Sequence, residues 1–268
     1  MTVDDLLVAL EQRFPASDAE AWDHVGLSVG DPGSNITGIC VALDATTDNV
    51  LAARECGANV LLTHHPVYIK APASFRPACS LQPSSSSALF EAARRGVSIV
   101  SLHTNLDRSR EARDRLPSLI GMVAESSLEY PHDPVRHGLG ALAFTEDTTL
   151  REVSLACARA FRCEPRVWGA LDRSVGRIAF LGGSLGDFGE LAILSSADAI
   201  VCGEAGYHVC QDLCARGVGI ILLGHDRSEE PFVDILKEAC VSAGYDGGRI
   251  STIVRPRQWN TLRDEELA

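Results

Sequence analysis

Three short apolar runs each finish in side chains that can hold a cation or carry a proton. Asn59-Val60-Leu61-Leu62-Thr63 runs into His64-His65-Pro66, and Val97 to Leu102 runs into His103-Thr104-Asn105-Leu106-Asp107. Val218 to Leu223 runs into Gly224-His225-Asp226-Arg227-Ser228-Glu229. One histidine at a strand end is more often capped or solvated than ligating. Here four of the eight histidines stand at three equivalent ends with acids beside them, which reverses that expectation. Neutral imidazoles mixed with hard carboxylates suit Zn, Fe(II) or Mn, and no thiolate pair is present for a structural zinc knuckle. Pro66 holds His65 extended, so the adjacent imidazoles diverge and fit two ions better than one. If a helix opens near His225, then His225 and Glu229 share one of its faces. A carboxylate can bridge two ions about 3.5–4 Å apart, and Asp107 and Glu229 are the candidate bridging and catalytic carboxylates.

Such residues need parallel strands whose ends open into loops, because polar groups collect there in α/β sheets. Short β-branched runs alternate with helix-like segments, so the fold class is α/β with mostly parallel, buried strands. The chain also repeats itself. Thr2 to Phe14 and Thr149 to Phe161 both start like a capping box, and Leu6, Leu10 and Phe14 match Val153, Cys157 and Phe161. Further on, Ile39, Val41, Ala58, Leu61 and Leu62 fall on Ile178, Phe180, Ala197, Ile200 and Val201, and Arg95-Gly96-Val97 falls on Arg216-Gly217-Val218. Two similar α/β repeats are expected, residues 1–132 and 133–268, with the metal site shared between them. The first holds a Pro/Ser-rich insertion over 71–87, read as a mobile surface loop.

Other signals are weaker. Cys202, His208, Cys210 and Cys214 lack Cys-x-x-Cys spacing, and Cys210 with Cys214 reads more readily as a buried helix face than as zinc ligands. Gly182-Gly183-Ser184-Leu185-Gly186 either turns tightly or offers N–H groups to a phosphate, without a Walker lysine or dinucleotide fingerprint. Trp22 to Pro32 either lines a pocket or places Trp22 in packing and Asp23 on a turn. No Gly-x-Ser-x-Gly elbow occurs, and no cysteine stands out as a nucleophile.

At 268 residues and 46% hydrophobic, the chain can build about two cores at roughly 150 residues each. With 24 Lys and Arg against 36 Asp and Glu, its net charge of −12 disfavours nucleic acid and anionic membranes. Met1 to Phe14 is acidic and amphipathic, unlike an export signal, and no apolar stretch nears the roughly 20 residues of a membrane span. Nine cysteines, odd in number and without paired spacing, suit a reducing cytoplasm, most as small core residues. The expected location is cytoplasmic.

The chain resembles the GTP cyclohydrolase 1 type 2 homologs, the Nif-three-like dinuclear metal centre proteins. The resemblance rests on Trp22-Asp23-x-Val25-Gly26-Leu27, Leu43-Asp44-Ala45-Thr46, Thr63-His64-His65-Pro66, His103-Thr104-Asn105-Leu106-Asp107, and Gly224-His225 with Glu229. It extends through Gly182-Gly183-Ser184, Ala197-Asp198 and Gly203-Glu204 to His208. It implies two divalent ions per chain held by His64, His65, Asp107, His225 and Glu229, with His103 a ligand or an orienting neighbour. It also implies a fold of two intertwined α/β repeats with mixed, mostly parallel sheets, and a ring-shaped homohexamer with metal sites facing an internal cavity. The chain departs from the family pattern at His24, usually Asn, and at Ser109-Arg110-Glu111-Ala112, usually a Gly-rich turn containing Asn. The leading expectation is a metal-dependent hydrolase acting on a small molecule through a metal-bridging water. The alternative is a non-enzymatic, ring-forming metal-binding regulator or scaffold whose site His103 closes.

Overall fold

The computed structural model describes residues 1–254 and Trp259; positions 255–258 and 260–268 of the expected second repeat lie outside the described residues. Two mixed sheets carry the fold. The first contains β1 (Gly26–Val29), β2 (Ile39–Ala42), β3 (Val60–Thr63), β4 (Ser98–Ser101) and β11 (Ile250–Thr252), ordered β1-β4-β3-β2-β11. The second contains β5 (Ala124–Ser126), β6 (Ala141–Thr149), β7 (Arg166–Trp168), β8 (Ser174–Phe180), β9 (Ala199–Cys202) and β10 (Gly219–Leu222), ordered β5-β6-β8-β9-β10-β7. β4, β3, β2 and β11 run parallel, as do β8, β9 and β10. An antiparallel edge strand follows each parallel set, β1 on β4 and β7 on β10. Late strand β11 joins the first sheet, and β5, from the first half, joins the second.

The helices are α1 (Val3–Arg13), α2 (Thr47–Glu55), α3 (Ser84–Arg95), α4 (Thr104–Asp107), α5 (Arg110–Ser118), α6 (Leu150–Ala160), α7 (Phe188–Leu194), α8 (Tyr207–Ala215) and α9 (His225–Ser242). Strand alternation divides them into layers. Ile39 and Val41 of β2 enter a central cluster with Leu6 of α1, Leu116 of α5, Val153 of α6 and Leu236 of α9. Cys40 and Ala42 point the other way, under Val50 of α2 and Leu89 of α3. In the second sheet Ile178 and Phe180 of β8 join the central cluster, whereas Ala179 packs with Ala192 of α7 and Leu213 of α8. The central parallel strands are thus apolar on both faces, as covered sheets require.

Local chemistry sets the element ends. Both α1 and α6 open on full capping boxes, Thr2 with Asp5 and Thr149 with Glu152. The two Arg-Gly-Val sequences follow α3 and α8, and Gly96 at φ +65° and Gly217 at φ +93° supply the left-handed turn. The segment expected as loop over 71–87 is shorter. Helix α3 starts at Ser84, with Ser86 and Ser87 buried in its first turn. Hydrogen bonds explain the difference: Ser86 Oγ donates to the Ser74 carbonyl and accepts from Arg76 N–H, while Ser87 Oγ pairs with Thr47 Oγ1. A serine run that reads as solvated is consumed in anchoring the insertion.

The layout converges on one place. β3 and β4 are neighbours and deliver His64, His65 and His103 at the same sheet end. β10 belongs to the other sheet, but α9 leaves it at His225 and packs against β2, β3 and β11. That crossing brings Glu229 to the first sheet's histidines.

Candidate metal centre

Glu229 is buried, at 4% exposure, and its two oxygens face different partners. Oε2 lies 2.8 Å from His65 Nε2 and 3.1 Å from His225 Nε2, while Oε1 lies 3.7 Å from His64 Nε2. His65, His225 and Glu229 form one group of ligand atoms close enough to hold a cation, and His64, His65 and His103 form a second. Asp107, at the end of α4, places Oδ1 3.6 Å from His64 Nε2. The expected helical face is present: α9 begins at His225 with Gly224 as its N-cap, and Glu229 follows one turn later.

Each histidine is held from behind. His65 Nδ1 donates to Asp44 Oδ1 at 2.8 Å, His103 Nδ1 to Asp23 Oδ1 at 2.9 Å, and His225 Nδ1 to Glu204 Oε1 at 2.9 Å. His64 Nδ1 donates to the Leu102 carbonyl at 3.0 Å. An acceptor at Nδ1 holds a proton there and turns Nε2 toward the centre, the pattern that orients metal-ligating imidazoles. Asp23 is also anchored, since its Oδ2 accepts from the Thr104 N–H and hydroxyl. Of the roles the sequence left open for the segment around Trp22, half-exposed Trp22 lines a cavity, while Asp23 takes one the sequence did not suggest and fixes His103.

The buried atoms themselves fit a cation. His64 Nε2 and Asp107 Oδ1 are both buried without a hydrogen-bond partner, an arrangement that costs free energy unless something bridges them. Two ligands about 2.1 Å from one tetrahedral ion lie about 3.4 Å apart, near the observed 3.6 Å. Around Glu229, the raised histidine pKa values favour protons in the corresponding places. Burial opposes charge on His65, but hydrogen bonds to Asp44 and Glu229 outweigh it and raise its pKa to about 10. The Glu229 hydrogen bond likewise lifts His225 to about 9. Burial, with help from the Glu229 charge, raises Asp107; Glu229 lies well below the usual carboxylate range because its histidine bonds overcome burial. Both directions fit one picture, with the negative charge resting on Glu229 between imidazolium rings.

Three glycines let these parts approach. A Cβ on Gly183, at φ +61°, would sit 2.3 Å from Glu229 Oε1, and one on Gly182 would sit 2.8 Å from the Phe232 ring. A Cβ on Gly203 would sit 2.5 Å from the Gly183 carbonyl and 2.9 Å from His225 Cα. The Gly-rich turn is thus a tight structural turn. Its Gly183 and Leu185 N–H groups donate to Ser228 Oγ and the Glu204 carbonyl rather than facing a phosphate. Cys202, His208, Cys210 and Cys214 form no cation-sized group among the described residues.

A cavity of about 470 Å³ opens on His103, Asp107, His225 and Glu229. Phe180, Phe188 and Phe232 form apolar wall, and Arg113 and Glu20 add charge. Asp44 and Glu204 were visible in the sequence only as motif members; their orienting role depends on approach across 21 residues of chain in each case. The available signal was positional, since each lies just beyond the end of a parallel strand, β2 or β9.

Fold and site together define an α/β protein of two mixed sheets, with a histidine and carboxylate cluster able to hold metal where the sheets meet. Comparison with known proteins gives this class its family. Residues 1–254 match the family model Duf34/NIF3 (NGG1p interacting factor 3), and the chain belongs to that family. A relative from Clostridium acetobutylicum called "GTP cyclohydrolase 1 type 2 homolog" is 28% identical over 242 residues, 89% of each chain. A crystal structure of a Staphylococcus aureus hypothetical protein has a TM-score of 0.85 at 23% identity, covering 97% of this chain and 99% of that one. A Bacillus cereus protein related to NIF3 also has a TM-score of 0.85, at 17% identity over 98% and 99%. Among the described residues, no helix is long and apolar enough to cross a membrane.

Proposed function

We propose that the chain binds two divalent ions and uses them as a hydrolase acting on a small molecule. His64 and Asp107 would hold one ion and His65 and His225 the other, with Glu229 a ligand available to both. His103, fixed by Asp23, stands beside the first as a ligand or orienting neighbour. Zn, Fe(II) and Mn all suit this donor set. When bound, such ions supply Lewis acidity and make water a nucleophile at neutral pH. The chain's residues do the rest. Asp44, Glu204 and the Leu102 carbonyl keep the Nε2 atoms of His65, His225 and His64 directed at the centre. Phe180, Leu181 and Phe232 give the cavity an apolar wall.

The cavity is the observation that carries the hydrolase reading over the regulator reading. Its volume lies in the range of small-molecule sites, and His103 is one of the residues that line it. The relatives' name points to opening of the GTP ring; a phosphoester or cyclic amide would use the same water. The test is reconstitution with Zn, Mn and Fe(II) in turn, followed by nucleotide, phosphoester and cyclic-amide panels beside Glu229→Ala. Metal-dependent turnover absent from the variant is expected. Silence on every panel with metal bound would favour the regulator. Assembly into a homohexamer in the cytoplasm belongs to the same proposal, and native mass spectrometry checks the ring.

Two further results are expected. Asp44→Ala leaves His65 free to rotate and weakens metal binding by about 10- to 100-fold, measured by chelator competition, with the cavity wall unchanged. The second concerns protons. At pH 7 the metal-free chain holds His65 and His225 as imidazolium, each donating from both ring nitrogens. Metal uptake must displace the Nε2 protons. Calorimetry in buffers of different ionisation enthalpy should therefore show proton release at pH 7, declining as pH rises through about 9 to 10. The same raised values stabilise the metal-free fold fully below the ordinary histidine pKa of about 6.5, and that contribution is lost through the same alkaline window. Uptake without proton release at pH 7 would contradict this.

A further inference from the structure

All nine cysteines are free, and two of them, Cys56 and Cys79, are exposed. Cys56 caps the C-terminus of α2, and its Sγ lies 3.1 Å from Sγ of Cys40, buried in β2. That is closer than non-bonded sulfurs normally sit, and about 1 Å from the 2.03–2.05 Å of a disulfide. Cys56 Sγ also lies 3.0 Å from the Ala52 carbonyl, which holds the thiol at the end of its helix. Cys79 has no thiol in contact among the described residues, and the other cysteines are buried or half-buried.

We propose that Cys40 and Cys56 form a redox-active dithiol, converted to an intramolecular disulfide by a peroxide or by a glutathione-type disulfide. The roles divide by access. Cys56 meets the oxidant; Cys40, whose thiol burial and the Cys56 contact push up to about 12, resolves the product from inside. With a peroxide, Cys56 sulfur bonds to one oxygen as the O–O bond breaks and the other oxygen leaves as water or alcohol. Cys40 sulfur then attacks Cys56 sulfur, the S–O bond breaks, and hydroxide leaves as water with the Cys40 proton. Two electrons pass from the sulfurs to the peroxide. With a glutathione-type disulfide, the same two attacks release two equivalents of the small thiol. Placement in contact compensates for the small thiolate fraction of Cys40. The bridge ties α2 to the strand that leads to Asp44, the partner of His65.

The test treats the reduced full-length chain with hydrogen peroxide or oxidised glutathione, followed by non-reducing peptide mass spectrometry. A Cys40–Cys56 peptide lacking two hydrogens and reversed by dithiothreitol is expected, while Cys79 takes up glutathione and keeps it. In Cys40→Ser, Cys56 should retain glutathione as Cys79 does. Cys56→Ser, a change at an exposed position, should leave Cys40 reduced and supplies the comparison if the buried substitution fails to fold. Equal, stable glutathionylation of Cys56 and Cys79 in the unsubstituted chain, with no cross-linked peptide, would overturn the proposal.

Discussion

Glu229→Ala is expected to drop the metal content of the reconstituted chain below one ion per protein, the largest effect of any single substitution in the centre. Both groups of histidines meet this carboxylate, Oε2 beside His65 and His225 and Oε1 toward His64. The His65 and His225 group has no substitute, since Asp44 and Glu204 are engaged on the outer nitrogens, and the His64 side is left with Asp107 alone. The metal-free chain should lose stability as well. Removing one member of a buried ion pair costs about 3–5 kcal/mol, and the lower end applies because His65 and His225 keep enough solvent contact to shed their protons. Glu229→Gln preserves shape with one acceptor oxygen and should retain part of the metal. Elemental analysis after desalting, with urea unfolding of the metal-free forms, measures both effects. A variant that keeps its full metal complement would remove Glu229 from the centre.

Gly203→Ala is expected to damage fold and site together without altering any candidate ligand. The added Cβ would meet the Gly183 carbonyl at 2.5 Å, Ser228 Oγ at 2.6 Å and His225 Cα at 2.9 Å, two of them backbone atoms with little room to move. Overpacking of this kind costs about 1–3 kcal/mol. The strain falls on the first turn of α9, so the His225 side should also bind metal about tenfold more weakly, as when an orienting contact is lost. Gly206→Ala on the same connection is the control: its nearest neighbour would be Val209 at 4.0 Å, and both effects should be absent. Equal behaviour of the two variants in thermal melts and chelator competition would contradict the close-approach explanation.

The ligand-type residues were legible because parallel strands write themselves as short unbroken apolar runs, so whatever follows such a run stands at a sheet end. His64, His65, His103 and His225 were found that way, and the four-residue spacing of His225 and Glu229 became a shared helical face. The orienting acids were harder to read. Asp23 reaches His103 across 80 residues, and no local pattern records such a contact. The exchange of edge strands followed only from the intertwining that the resemblance implies and could not be read from the residues: Ala124–Ser126 and Ile250–Thr252 have three residues each, too few for alternation to emerge. The serines opening α3 misled in the opposite direction, because a hydroxyl that anchors a neighbouring loop looks the same in sequence as one facing water. The glycines of the Gly182-Gly183 turn could be placed but not explained, since their cause is a carboxylate from α9.

The most direct test is anomalous diffraction at the absorption edge of the bound metal, from a crystal of the reconstituted chain. Two peaks about 3.5–4 Å apart are expected, one between His64 and Asp107 and one between His65 and His225, with Glu229 reaching both. A single peak, or none among these residues in a chain shown to carry metal, would contradict the two-ion centre.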